Sequence, residues 1–134
     1  MSYKINYKVS GGFLNVNITG TGGNKNLAKM SSDVNDIVSE YGVNKILINI
    51  TGLNNKLGIF ESLDHIEKYP PEMRDRSYAI VDKIDNRNQN SFFENAAVNR
   101  GFNIFFFYDY DEAVKWLKVE PGSFNEVVLE KEYR

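Results

Sequence analysis

The chain has 134 residues, 42% of them apolar and 25% charged, the size and balance of one globular domain able to bury a core without a covalent staple. Its formal net charge is −2, so it offers no basic field to a phosphate backbone and nucleic-acid binding is not expected. It has no cysteine, which excludes disulfides, thiolate catalysis and thiolate metal sites.

The opening MSYKINYKVSGG lacks the apolar core of a signal peptide, and the longest apolar run, Ile104 to Tyr108, is too short to span a bilayer. A cytoplasmic protein without a membrane span is expected. Tyr3, Ile5, Tyr7 and Val9 alternate with polar residues, as do Leu14, Val16 and Ile18 after the turn signal Ser10-Gly11-Gly12. The two runs predict an antiparallel hairpin with one wet side or at a sheet edge. Gly20 to Asn26 reads as a loop. Leu27, Met30, Val34, Ile37, Val38 and Tyr41 then recur at helical spacing, stopped at Gly42.

Lys45 to Ile50 is short and nearly continuously apolar, as a buried parallel strand is, and Thr51 to Gly58 reads as the loop after it. Ile59, Phe60, Leu63 and Ile66 predict a second helix ending before Pro70-Pro71. Tyr78 to Val81 is a strand. A third helix carries Phe92, Phe93, Ala96 and Ala97 and ends at Gly101. Ile104 to Tyr108 is the most apolar strand. Asp109 opens a fourth helix at capping-box spacing from Glu112, and Ala113, Trp116 and Leu117 supply its buried face. Phe124 to Leu129 predicts a last strand or a loose tail. The alternation after the hairpin predicts an α/β fold with a largely parallel sheet built from right-handed units.

Asn99-Arg100-Gly101-Phe102-Asn103, Phe107, Asp109, Asp111-Glu112-Ala113 and Trp116-Leu117 follow the pattern N-R-G, strand, D-x-D-E-A-x-x-W-L; Tyr78 to Asp82 and Phe93-Glu94 add to it. In these residues the chain resembles the SpoIIAA-like (STAS/SEC14 domain) family of small bacterial proteins. The resemblance covers residues 3 to 118, with 119–134 as a C-terminal extension of a single domain. It implies the opening antiparallel hairpin followed by alternating β-α units, a mostly parallel five-stranded sheet and four helices. It implies a non-enzymatic interaction or regulatory module, or alternatively a small-molecule or lipid binder of SEC14-like type.

Ligands of open α/β sheets favour the carboxyl ends of the strands. There the sequence places Asn49, Thr51 and Asn54, then Asp82, Asp85, Asn86 and Arg87, then Asp109. These form a candidate ligand-binding rim with Arg87 as anion partner, although the same residue types make turns and caps. Asp82, Asp85 and Asp109 would suit Mg²⁺ only if three separate loops converged, and a small hydrolase built on that rim is the least favoured function. His65 is the only histidine and has no nucleophile to complete a triad. Gly20 to Lys25 lacks the order of a phosphate loop, and Phe105 to Phe107 lack the basic surround of a base-stacking platform. No catalytic residue, metal or cofactor is expected. The apolar last strands and Val127-Val128-Leu129 suggest a homodimer, with the extension covering its own sheet or a partner's edge. Relatives in the wider group switch partners through a phosphoserine after the third strand; alignment puts Gly58 there, so no such switch is expected.

Overall fold

We analysed a computed structural model that describes residues 3–10, 12–21, 24–54, 66, 68–119 and 128–133; for 24–28 and 128–133 the backbone alone is described. Strands β1 (Tyr3–Ser10) and β2 (Phe13–Thr21) form the predicted hairpin. Helix α1 (Asn24–Tyr41) leads to β3 (Lys45–Asn54), and a 3-10 turn η1 (Pro71–Asp75) precedes β4 (Ser77–Val81). A second 3-10 turn, η2 (Ile84–Asn86), runs into α2 (Arg87–Asn99), followed by β5 (Asn103–Phe107), α3 (Tyr110–Leu117) and β6 (Val128–Tyr133). Of the four residues that predict the second helix, only Ile66 is described, and it is helical and buried.

The sheet order is β5-β4-β3-β2-β1-β6. Strands β2 to β5 are parallel, and β1 is antiparallel to both β2 and β6. The five expected strands are present, and the extension adds a sixth. Its described residues are Val128–Tyr133, so it continues past Leu129 through Glu-Lys-Glu, while Phe124 to Val127 lie outside the described residues. The hairpin is therefore not an edge: β6 covers β1. Helix α1 begins inside the stretch read as a loop, so Asn24 to Asn26 are helical. Strand β3 runs four residues past Ile50. A one-residue bulge lies in it, because Asn17 pairs with Asn49 and Thr19 with Gly52.

Two cores flank the sheet. On one face α1 supplies Met30, Val34, Ile37 and Val38, and α2 supplies Ala97, over Leu14, Val16, Ile46, Tyr78 and Ile104. On the other face α3 lays Ala113, Val114 and Leu117 on Phe13, Leu47, Ala79 and Val81. Three side chains depart from the predicted pattern. Tyr41, in the last turn of α1, is 37% exposed, with its ring 6.1 Å from that of Tyr7. Phe92 points outward because it lies about 100° round the helix from Phe93, which turns in with Ala96 and Ala97. Trp116 is half-buried: the eight-residue α3 is too short to enclose it, and it rests at the margin on Phe105 and Phe107, 5.0 and 5.6 Å between ring centres.

The helix ends follow one rule with one exception. Gly101 takes φ 86, so the amide of Phe102 reaches back to the Ala97 carbonyl at 3.0 Å. At the end of α3 the same left-handed position is held by Lys118 at φ 58, where a β-carbon is unfavourable. Asp109 caps α3 as predicted, accepting the Asp111 amide at 2.8 Å.

Candidate functional site

Val81 and Phe107 are the last paired residues of β4 and β5, so Asp82 and Tyr108 stand side by side at the carboxyl rim. The Asp82 amide donates to the Phe107 carbonyl at 3.0 Å, which turns its side chain toward the start of α2. There Oδ1 accepts from the Lys83 amide at 2.7 Å and Oδ2 from Asn90 Nδ2 at 2.8 Å, while Asn86 Nδ2 lies 3.2 and 3.3 Å from the two oxygens. Asn86 and Asn90 reach one acceptor because residues four apart share a helix face. Asp82 is 2% exposed. A buried carboxylate persists only with such a ring of donors, and a helix N-terminus favours the charge.

Tyr108 extends the cluster. Burial pushes its phenol above the ordinary value, a hydrogen bond with Asn90 acts against this, and the charges of Asp82 and Glu94 add to the rise. Glu94 also bonds elsewhere: its Oε1 accepts the Phe106 amide at 2.7 Å. That amide faces the open side of β5, so the side chain plugs the sheet edge.

Of the other predicted rim residues, Asn49, Thr51 and Asp109 are spent locally. Asn49 Oδ1 accepts both the amide and the hydroxyl of Thr51, at 3.0 and 2.8 Å, and so pins the β3 bulge. Both belong to the strand, not to a loop, because pairing with β2 continues through Asn54, which is exposed. Asp85 and Arg87 are exposed on η2 and the first turn of α2, and Asp109 is exposed while capping α3. Thus Asp82 and Asn86 are brought together, and Asn49 and Thr51 bond each other instead. Among the described residues no three His, Asp or Glu side chains gather to hold a metal. Gly58, His65 and most of the loop after β3 lie outside the described residues. The strand order never reverses across the parallel part, so the switch-point crevice that makes rims into ligand clefts is not formed there.

Sequence reading missed Asn90, Tyr108 and the bonding role of Glu94. The spacing Asp82, Asn86, Asn90 was the available signal. It also missed a row of buried phenols under α1: Tyr3 donates to Asp33 at 2.6 Å and Tyr78 to Asn35 at 3.1 Å. Tyr69 bonds Ser31, and burial raises its phenol well above the ordinary range and also raises that of Tyr78.

Solved structures share this architecture. The crystal structure of an anti-sigma factor antagonist from Mycobacterium paratuberculosis superposes with a TM-score of 0.57 at 11% identity, covering 87% of this chain and 95% of that one. A DUF3478-family protein with a SpoIIAA-like fold from Shewanella loihica PV-4 gives 0.55 at 19% identity, covering 86% and 93%. The fold is SpoIIAA-like. No protein-family model and no curated protein matches the chain. Among the described residues of this SpoIIAA-like domain, no helix is long and apolar enough to cross a membrane.

Proposed function

We propose that the chain is a non-enzymatic regulatory module that binds another protein through the solvent side of η2 and α2. The observation that carries this reading is the exposure of large apolar side chains there: Ile84 at 56%, Phe92 at 45% and Val98 at 41%. Single exposed apolar residues are ordinary, but here three fall along the segment from η2 through α2; Phe92 and Val98 stand about 120° apart round the helix, so a partner would wrap α2 to cover both. Asp85 and Arg87 supply charged groups beside them. Of the rim residues, Asn49, Thr51, Asp82, Asn86 and Asp109 are engaged in local hydrogen bonds, which supports binding over turnover. The similar fold of a protein named for antagonising an anti-sigma factor agrees with a protein partner.

In this reading the module works without a phosphoserine switch. Thr51, the hydroxyl nearest the end of β3, is hydrogen-bonded to Asn49 within the strand, and alignment puts a glycine at the switch position.

The test begins with a partner cross-linked in cells and then purified for binary titration. Ile84→Glu with Phe92→Glu is expected to weaken that complex at least ten-fold, with the circular dichroism spectrum and melting temperature unchanged. Unaltered affinity would sink the reading. So would a native mass spectrum of the purified protein carrying a stoichiometric lipid or small molecule, with no protein partner found.

A further inference from the structure

The two edges of the sheet are closed by different means. At β5 the Glu94 carboxylate holds the outward amide of Phe106. At β1 the edge is covered by backbone: Tyr3 to Lys8 pair antiparallel with Val128 to Tyr133, Tyr3 opposite Tyr133 and Lys8 opposite Val128.

These two strands differ in support. Strand β1 is held from both sides by β2 and β6, and its Tyr3, Ile5 and Tyr7 are buried in the core under α1. Strand β6 pairs with β1 alone and forms the outer edge. A strand paired on one side opens at a lower free energy than one paired on two. When β6 leaves, β1 stays anchored and presents a preformed row of amides and carbonyls, the template that extended peptides use in strand addition.

The end of α3 and the start of β6 lie at the same end of the sheet. The carbonyl of Lys118, just after α3, accepts Lys45 Nζ at 3.5 Å at the start of β3, and Lys45 pairs with Phe13 at the start of β2. Val128 stands opposite Lys8, near the same end of the hairpin. From β3 to β6 is three strand spacings, about 14 Å. Eight residues, the number between Val119 and Val128, can span at most roughly 28 Å, which exceeds that distance.

The register also sets a chemical pattern. Glu132 stands opposite Lys4 and Glu130 opposite Asn6, with Lys8 two places on. Opposite charges across a strand pair are favourable and like charges are not. We propose that the β1 edge is a strand-docking site, that β6 is its own displaceable occupant, and that the partner it fits is an extended segment of another protein with acidic residues at alternate positions. This surface is distinct from the η2–α2 side, and the inference stands without that reading.

The natural absence of cysteine makes a clean test possible. Asn6→Cys with Glu130→Cys in the full chain places two thiols at facing positions, and Lys4→Cys with Glu132→Cys gives a second pair. Oxidation at low concentration is expected to link each within one monomer. A fluorescent peptide of residues 128–134 is then titrated against the reduced and oxidised forms of the same protein. Binding to the reduced form is expected to saturate and to weaken at least ten-fold on oxidation. The same peptide with Glu130→Lys and Glu132→Lys is expected to bind at least ten-fold more weakly. Equal binding to reduced and oxidised protein, no saturable binding to the reduced form, or disulfide-linked dimers as the main product would each overturn the proposal.

Discussion

The face of the sheet under α1 and α2 and the face under α3 are built on the same strands yet are closed to different depths. The first is sealed by helices of 18 and 13 residues and buries phenols along with its aliphatic core. The second has an eight-residue helix over β3 to β5, with Asn15 of β2 donating to Tyr110 Oη at 2.8 Å on its flank. Beyond it the hairpin presents Lys4, Lys8 and Asn17, the latter two exposed. The depth of each face follows from strand composition. Strands β3 to β5 are apolar at both parities and need cover on both sides, while the hairpin alternates and needs it on one.

The largest expected effect tests that difference directly. Ile46, fully buried on the deep face, should lose about 3–4 kcal/mol on Ile46→Ala, while Trp116→Ala on the shallow face should lose about 2. Urea denaturation that gives the two equal losses would show that α3 seals its face as well as α1 does. Asp82, which ties β4 to α2, comes next. Asp82→Ala removes the acceptor of two asparagine amides and should cost about 2 kcal/mol, again read by urea. On the shallow side, a β-carbon at Gly52 would meet Thr19 Cγ2 at 2.9 Å. Gly52→Ala should therefore cost about 1 kcal/mol, and Thr19→Ser, which removes that methyl, should restore most of it in the double variant. Lys118→Gly relieves a left-handed β-carbon and should raise stability by about 1 kcal/mol, seen as a higher melting temperature.

The smallest effect is in pH. The phenols of Tyr69 and Tyr78 keep their protons to higher pH in the folded chain than the ordinary 10.0 of the unfolded one. Stability is whole below that value and falls as pH rises from it toward the folded values, because the unfolded chain then binds fewer protons. Tyr69→Phe should flatten this alkaline decline. An unchanged slope in melting temperature above pH 10 would remove Tyr69 from the account.

Much of this was legible in the sequence, and the failures share a cause. The hairpin, the buried strands, the Asp109 cap and the Gly101 stop are local signals, each set by residues within a few positions. The candidate rim was half legible: Asp82 was found, but Asn90 becomes its partner only when the helix places it, and Tyr108 only when β5 lies beside β4. Phe92 and Phe93 were left undistinguished because an aromatic pair beside alanines does not say which ring turns in. The continuation of β6 past Leu129 was not foreseen because Glu-Lys-Glu reads as polar, and a strand covered on one edge by an apolar-faced neighbour does not need to be apolar itself. Asn49-Ile50-Thr51 read as a strand ending because a bulge has no periodicity.

That bulge has a further consequence. Before it, Leu47 lies on the α3 face. After it, Leu53 lies in the core under α1, although an unbroken strand would send residues 47 and 53 to the same side. The extra residue acts as a frameshift in the alternation of the strand. Removing one residue between Asn49 and Gly52 would leave every side chain's chemistry intact and turn Leu53 onto the opposite face, so at this point the count of residues is under stricter constraint than their identity.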